Sequence, residues 1–455
     1  MPPRGTARTG PGSPGGVDVA GLRARAAATL LRNRRGSTTV PTGALYPHQW
    51  SWDSAFIAVG LAHVDPGRAF AELAALHEAQ WRDGRVPQIV FNPAVPEDAY
   101  FPGPASWRPL PPHGPAPGVS TTGLVQPPVH AAAVLAVAER HPGAATDAAL
   151  RHLYPRLARS HDYLFERRRV ASGLVAVVHP WETGLDNSPA WDEPLRAAGA
   201  GPVEAVPGLR RDLRHAEAGH RPTDQDYARY LAVVAAYRDR GYADDDLTDL
   251  PFCVVDPLFC AVLAWSEHAL AGLARRVGAD PGRHVERAGE LAHQVHARLF
   301  DPALGCYAAL DARTGRTVPR RTVAGLVPLL LPDLPAGRRS ALLATLTGPA
   351  FGLGSPGVRG VPSYDLTAPD ADPRRYWRGP TWMNTNWLLW TALRDHGEAD
   401  LARRLAADAV DLVAGAGFRE YFHPLTGEGL GADDFSWTAA LLLDVLAHGP
   451  EEPRW

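Results

Sequence analysis

Apolar residues recur every three to four positions along most of this chain, and that spacing permits little besides helices packed on helices. The stretches that carry it are residues 19–32, 52–62, 66–81, 128–140, 145–168, 224–238, 257–277, 282–299, 336–345, 382–396, 398–414 and 434–447. Within 257–277, Leu258, Val262, Trp265 and Leu273 fall on one stripe with charges interleaved. Pro66, Pro128 and Pro257 stand where a first helical turn has no use for an N–H. Strand-like runs are few and short, at 173–178 and 306–310. Helices in rough pairs predict an all-α array of helical hairpins. No fixed sequence period is present, which argues against a superhelical repeat.

Residues 17–455 show no composition break resembling an interdomain linker, so one domain is expected there. The first 16 residues are mostly Pro, Gly, Arg and Thr with no apolar run. They predict a disordered tail, not a secretory signal. Pro and Gly number 44 each, and aromatic and acidic residues crowd the loops they punctuate. The longest of these loops, 100–127, is Pro-rich. A long ordered loop in a compact domain is usually a lid or a binding wall.

Composition closes several routes. All 46 basic residues are Arg, so Schiff-base chemistry and a P-loop lysine have no residue to work with. A formal net charge of −3 gives no excess for a nucleic-acid groove or a polybasic membrane patch. No run approaches the ~18 consecutive apolar residues of a bilayer span. The three cysteines, Cys253, Cys260 and Cys306, form no C-x-x-C and predict reduced, buried thiols in a cytoplasmic protein. Cys253 and Cys260, seven apart, are expected to share a helical face. The G-x-G-x-x-G match at 352–357 follows no strand, and Pro356 removes an amide that a phosphate would need, so it predicts a turn. The acidic run 244–246 predicts a solvated turn, and no motif calls for a metal.

Four loops share one character, with tryptophan, acids and amides beside Gly or Pro: 46–54, 179–189, 376–384, and 420–428 leading to 433–437. Sugars offer C–H faces that stack on indole rings and hydroxyls that pair with carboxylates and amides, and a pocket for both has this composition. Glycoside hydrolysis commonly needs two carboxyl groups, one protonated and one ionised. Asp53, Glu182, Asp186, Asp192, Glu420, Glu428 and Asp434 are the candidates, and spacing alone does not choose among them. A carboxyl beside Trp181 would be partly desolvated, which raises its pKa and suits an acid.

The stretches 46–60, 79–93, 123–128, 181–187, 221–227, 376–386 and 420–437 together resemble the bacterial branch of glycoside hydrolase family 63, near its glucosylglycerate and mannosylglycerate hydrolases. The resemblance runs in the family's order over nearly the whole chain after about residue 20. It implies an (α/α)6 barrel with long Pro/Gly-rich loops over the active-site end, an inverting mechanism and no cofactor. Carried over residue by residue, Asp186 is the general acid and Glu420 the general base. Trp50, Asp53, Trp181 and Trp382, with Gly184 in the same loop as Trp181, surround the hexose. Tyr46, Tyr100, Gln126, Arg221, Tyr227, Tyr376 and the adjoining Trp377 match positions that hold the glycerate. The implied partner is a small-molecule glycoside with an anionic aglycone, with no nucleic acid or membrane and with self-association into a homo-oligomer left open.

Independent physics fits Arg221 to such a carboxylate, because a guanidinium fork matches a planar anion. The competing role for Arg221 is a salt bridge to Asp224 or Asp226. The rival activities are a neutral α-glucosidase or trehalase on the same barrel, a sugar isomerase or epimerase working through His48, His179 and His423, and a non-catalytic sugar-binding protein.

Overall fold

The computed structural model describes residues 17–214 and 216–448; the expected tail at 1–16 and the last residues, 449–455, lie outside them. Thirteen α-helices occupy the described chain: α1 (Val19–Arg32), α2 (Ser51–Leu61), α3 (Pro66–Glu78), α4 (His130–Arg140), α5 (Ala144–Arg167), α6 (Asp192–Arg196), α7 (Asp224–Asp239), α8 (Pro257–Val277), α9 (Gly282–Arg298), α10 (Ala336–Thr347), α11 (Met383–Asp395), α12 (Ala399–Ala416) and α13 (Ser436–His448). Local chemistry fixes several ends. Thr223 and Asp226 form a reciprocal capping box at the start of α7. Asp256 accepts from the amides of Leu258 and Phe259 where Pro257 opens α8, and Gly278 closes that helix in the left-handed region.

Burial sorts the helices into two kinds. Every residue of α2 and of α11 up to Leu393 is buried, as are most of α4, α8 and α13. Helices apolar all round belong inside. Contacts among them form a closed succession: α2 packs on α4, α4 on α8, α8 on the 3-10 turn Val327–Leu330, that turn on α11, α11 on α13, and α13 back on α2. Outside them lie helices with one buried stripe, α1 on α13, α3 on α2, α5 and α9 on α8, and α12 on α11. In α9 the buried stripe is His284, Ala288, Leu291, Ala292, Val295 and His296.

Helix α8 has the length and apolarity to cross a bilayer, which a count of consecutive apolar residues does not register, yet 83% of its most apolar window is buried in the protein. Its apolar surface is taken up by α4, α5 and α9.

The fold is mostly helical and not purely so, because the loops are joined by short antiparallel ribbons. Gln49–Trp50 pairs with Ile89–Val90, Tyr421–Phe422 with Gly429–Leu430, and Ala309–Asp311 lies between Val254–Val255 and Arg316–Val318. The strand expected at 173–178 is reduced to single bridges, Arg169 to Val175 and Val177 to Val254. The run at 306–310 divides into Cys306–Tyr307 and Ala309–Asp311, which pair with different partners. Cys253 precedes Val254–Val255 and so lies off the helix that carries Cys260, although all three thiols are free and buried. Residues 352–357 form turns, with Gly352, Gly354 and Gly357 all at positive φ.

Helices α2 and α13 approach closely at Gly60. A Cβ there would stand 2.2 Å from Ala440 Cα and 2.6 Å from its carbonyl oxygen. Alanine normally favours a helix interior over glycine by ~1 kcal/mol, but this contact reverses the sign. Gly60→Ala is expected to destabilise the protein by about 1–3 kcal/mol in denaturant unfolding. An increase in stability would contradict the packing described.

Candidate active site

The loops that enter α2, α4, α11 and α13 meet the 179–189 loop around one cavity. At the first, the amide of Ser51 donates to the Gln88 carbonyl at 2.9 Å and fixes the entry to α2. Gln126 Oε1 accepts from the Trp52 amide at 3.2 Å, one of the N–H groups a helix start leaves unpaired. Asp53 follows in that first turn and is 3% exposed.

In the second loop Gly184 sits at φ +73° with Trp52 against it; an added Cβ would lie 2.4 Å from the indole. Only glycine fits that turn. Glu182 is fully buried and its oxygens take four bonds: Arg168 Nη1 and Nη2 at 2.9 Å each, the Val125 amide at 3.1 Å and the Val178 amide at 2.7 Å. The Tyr230 hydroxyl donates to the Asp186 carbonyl at 3.1 Å.

In the third loop the Trp377 amide donates to Asn187 Oδ1 at 2.9 Å and joins this loop to the second. Tyr376 is held at φ +38°, its carbonyl accepting from Trp382 Nε1 at 3.0 Å. Trp377 and Trp382 stack at 3.9 Å and 6°. In the last loop Glu420 Oε2 accepts from the Ala432 amide at 3.0 Å. Gly431, at φ +70°, leaves room for that carboxylate, since a Cβ there would meet Glu420 Oε2 at 2.5 Å.

The cavity wall includes Tyr46, Trp50, Asp53, Tyr100, Gln126, Trp181, Gly184, Asp186, Arg221, Tyr227, Tyr376, Trp377 and Glu420. Trp382 is not part of that wall; it lies behind Trp377, 1% exposed. Of the seven candidate acids, three line the cavity: Asp53, Asp186 and Glu420. Glu182 is engaged by Arg168, Asp192 by Arg378, Glu428 by Arg374 and Asp434 by Arg32. Within the acidic run 244–246, Asp245 and Asp246 form the exposed turn that the composition predicts, whereas the Asp244 side chain is buried between Arg85 and Arg168, each at 3.0 Å.

His48, His179 and His423 stand outside the cavity wall. His48 Nδ1 accepts from the Asn92 amide, and His423 Nδ1 from the amides of Leu425 and Thr426. His179 bonds the Trp181 amide and the Tyr230 carbonyl. Among the described residues, His63, Asp444 and His448 are the group with metal-ligand spacing. Arg140 lies 2.7 Å from His448 Nε2 and 3.3 Å from His63 Nδ1, and none of the four lines the cavity.

Arg221 is not bonded to Asp224 or Asp226. Asp224 engages Arg210 at 2.9 Å and Asp226 caps α7, whereas Arg221 turns to the cavity. Its Nε donates to Asp212 Oδ2 at 3.3 Å, Nη2 to the Tyr46 hydroxyl at 2.9 Å and Nη1 to Glu420 Oε1 at 3.5 Å. The Tyr46 hydroxyl donates in turn to Glu420 Oε1 at 3.0 Å. Burial alone would lower the Arg221 pKa, but the oxygens of Tyr46, Tyr376 and Glu420 outweigh it and hold the guanidinium charged. Burial raises the Asp186 carboxyl to about 7; Arg221 pulls it down and Glu420 pushes it up. Burial likewise lifts Asp53 well above the carboxylate range, assisted by Glu420 and Asp186.

Gln88, Arg211, Asp212, Phe435, Trp52 and Trp437 also line the wall, with no role assigned to them from the sequence. Gln88 and the tryptophans lie inside stretches already singled out, so their loops were visible. Arg211 and Asp212 lie in a run of short 3-10 turns with no periodicity to mark them.

Residues 46–438 match the family described as the mannosylglycerate hydrolase MGH1-like glycoside hydrolase domain. The chain belongs to this family. It is 40% identical to a mannosylglycerate hydrolase of Rubrobacter radiotolerans over 443 residues, 96% of this chain and 99% of that one. It is 36% identical to a glucosylglycerate hydrolase of Mycolicibacterium hassiacum over 448 residues, covering 93% and 97%. The crystal structure of the GH63 mannosylglycerate hydrolase of Thermus thermophilus, in complex with Tris and D-glycerate, superposes with a TM-score of 0.85 at 41% identity, covering 93% and 99%. The mostly helical fold is therefore that of a solved GH63 enzyme.

The position of Asp186 has a thermodynamic consequence that belongs to this family member's own cavity. A carboxyl raised from 3.8 to about 7 holds a proton in the folded state that the unfolded chain has released. Its stabilising contribution is complete in acid and is lost as pH rises through about 7. The Tm of Asp186→Asn is expected to match that of the wild type near pH 4 and to exceed it increasingly up to pH 8. A difference independent of pH in thermal unfolding would contradict the raised value.

Proposed function

We propose that this chain is an inverting α-glycosidase that hydrolyses 2-O-α-D-mannosyl-D-glycerate or its glucosyl analogue to free hexose and glycerate. The observation that carries the reading is one buried, tryptophan-walled cavity that holds Asp186 and Glu420 together with Arg221. Asp186, raised to about 7 by burial, is protonated for much of its population at neutral pH and serves as general acid. Its proton passes to the glycosidic oxygen as the bond from C1 to that oxygen breaks. Glu420, gripped by Tyr46, Arg221 and the Ala432 amide, is general base. It takes a proton from water as the water oxygen bonds to C1 on the opposite ring face, which inverts the anomer. The two carboxyl groups are expected about 6.5–9.5 Å apart in the closed complex, enough for that water.

Trp50, Trp181 and Asp53 form the hexose subsite in this reading, and Tyr46, Tyr100, Gln126, Arg221, Tyr227, Tyr376 and Trp377 the aglycone subsite. Trp382 supports it from behind through its stack on Trp377. The closed succession of five buried helices and one 3-10 turn, with paired helices outside, fits an (α/α)6 barrel whose fourth inner member is reduced to Val327–Leu330. Residues 17–455 form a single catalytic domain in this reading. A cytoplasmic location fits the three free, buried thiols.

A panel of mannosylglycerate, glucosylglycerate, trehalose and kojibiose, assayed for free glycerate and hexose, tests the substrate class. Turnover is expected for one or both glycerate glycosides, and hydrolysis of the neutral disaccharides alone would favour a neutral α-glucosidase. Proton NMR should show the β anomer first; an α anomer first excludes inversion. Asp186→Asn and Glu420→Gln are each expected to cost on the order of 10²–10⁴ in kcat. The wild-type rate should fall above about pH 7 as Asp186 loses its proton. Normal kcat in either variant would remove the role given to that residue.

A further inference from the structure

We propose that Arg211 is a second cation for the aglycone carboxylate and sets the preference for a charged over a neutral aglycone. The inference deepens the glycerate reading above and rests on it. Arg221 is the residue the sequence offers for that carboxylate, but its donors are largely committed. Asp212, Tyr46 and Glu420 take one N–H from each of its three nitrogens, and the Tyr376 ring covers one guanidinium face at 4.1 Å. A guanidinium has five N–H groups, so two remain. Two carboxylates also already share its charge.

Arg211 lines the same cavity and is partly exposed. It spends two of its five N–H groups on backbone carbonyls, Nε on Asp98 at 3.0 Å and Nη1 on Gly208 at 3.3 Å. No carboxylate pairs with it among the described residues, and three N–H groups remain, both on Nη2 and one on Nη1. The two backbone bonds fix the plane of the fork, so less freedom is lost when an anion arrives. Asp98 stands two residues before Tyr100, so Arg211 also ties its own loop to the segment that carries a tyrosine of the cavity wall.

The test compares the glycerate glycoside with the matching glycerol glycoside, in which a hydroxymethyl group replaces the carboxylate. For Arg211→Ala the ratio of kcat/KM, charged over neutral, is expected to fall about tenfold, mainly through KM for the charged substrate. Arg211→Lys, which keeps the charge and loses the fork, should recover part of that ratio. A residue that only braces the loop through Asp98 would change both substrates alike and leave the ratio intact, which overturns the proposal. A ratio that falls in Arg211→Ala and is not raised by lysine also overturns it, because charge is then not what the site reads. If the wild type itself shows no preference for the charged aglycone, the glycerate reading fails. If the wild type prefers it and Arg211→Ala retains the full preference, only the role of Arg211 fails.

Discussion

The 179–189 loop and the segment beside Gln126 hang on a buried cluster of four charges, Arg85, Asp244, Arg168 and Glu182, none more than 5% exposed in its side chain. Hydrophobic burial holds the helices but has no direction, and it cannot tell one loop where to stand relative to another. Glu182 can. Its four donors come from the end of α5, from the strand-like approach at Val178 and from Val125, next to Gln126. Arg85 extends the cluster to the Gly123 carbonyl at 2.6 Å and packs over the Trp81 ring at 4.5 Å. Two positive and two negative charges balance, and the acids' oxygens are engaged on several sides, which is the condition under which buried ions are tolerated. Removing one member would leave an unpaired buried charge, a cost of about 3–5 kcal/mol. The cluster thus makes the relative placement of Asp53, Gln126 and Asp186 a property of the folded core.

On that frame the cavity separates its acids by environment alone. Among the described residues no arginine forks onto Asp186, and burial drives it toward the neutral form against the pull of Arg221. Glu420 sits where a tyrosine hydroxyl, a guanidinium and a backbone amide all donate to it. That contrast in donors is what the proposed acid and base roles rest on. Glycine enforces part of this. Gly431 leaves the space that Glu420 occupies, and Gly184 lets the second loop turn against Trp52. Both stand at positive φ, where a side chain would be strained as well as obstructed.

The helices were legible in the sequence because a stripe with a 3.6-residue period is a local signal. Their ends shifted by a few residues where prolines and loop pairing intervened, as at α4, which starts at His130 and not at Pro128. The four cavity loops were legible because tryptophans beside acids and glycines suit a sugar's faces and hydroxyls, and the family resemblance assigned roles within them. What stayed hidden was pairing between distant segments. Asp244 looks like part of a solvated acidic run, since Arg85 and Arg168 reach it from remote parts of the chain. Trp382 shares its loop with Trp377, and only the stack of their rings determines which faces the cavity. Arg211 and Asp212 occupy turns whose conformation depends on contacts with Asp98 and Arg221, so no pattern in their own stretch marks them.

The planar guanidinium explains why arginine stands at the buried joints between the loops. Arg168 holds both oxygens of Glu182, the Tyr163 and Tyr237 hydroxyls and Asp244 at once. Arg85 serves a carbonyl on each of two loops and a carboxylate. Arg210 forks onto Asp212 and reaches Asp224 with its remaining nitrogen, and Arg221 joins Asp212 to Tyr46 and Glu420. An ammonium has three donors on one atom and no plane, so it cannot span partners that lie on different sides of a guanidinium. Lysine at 168 would leave either Glu182 or Asp244 short of a donor in the buried core. Each of these arginines therefore acts as a joint between loops as well as a charge, and the cavity's geometry depends on the planar fork that lysine lacks.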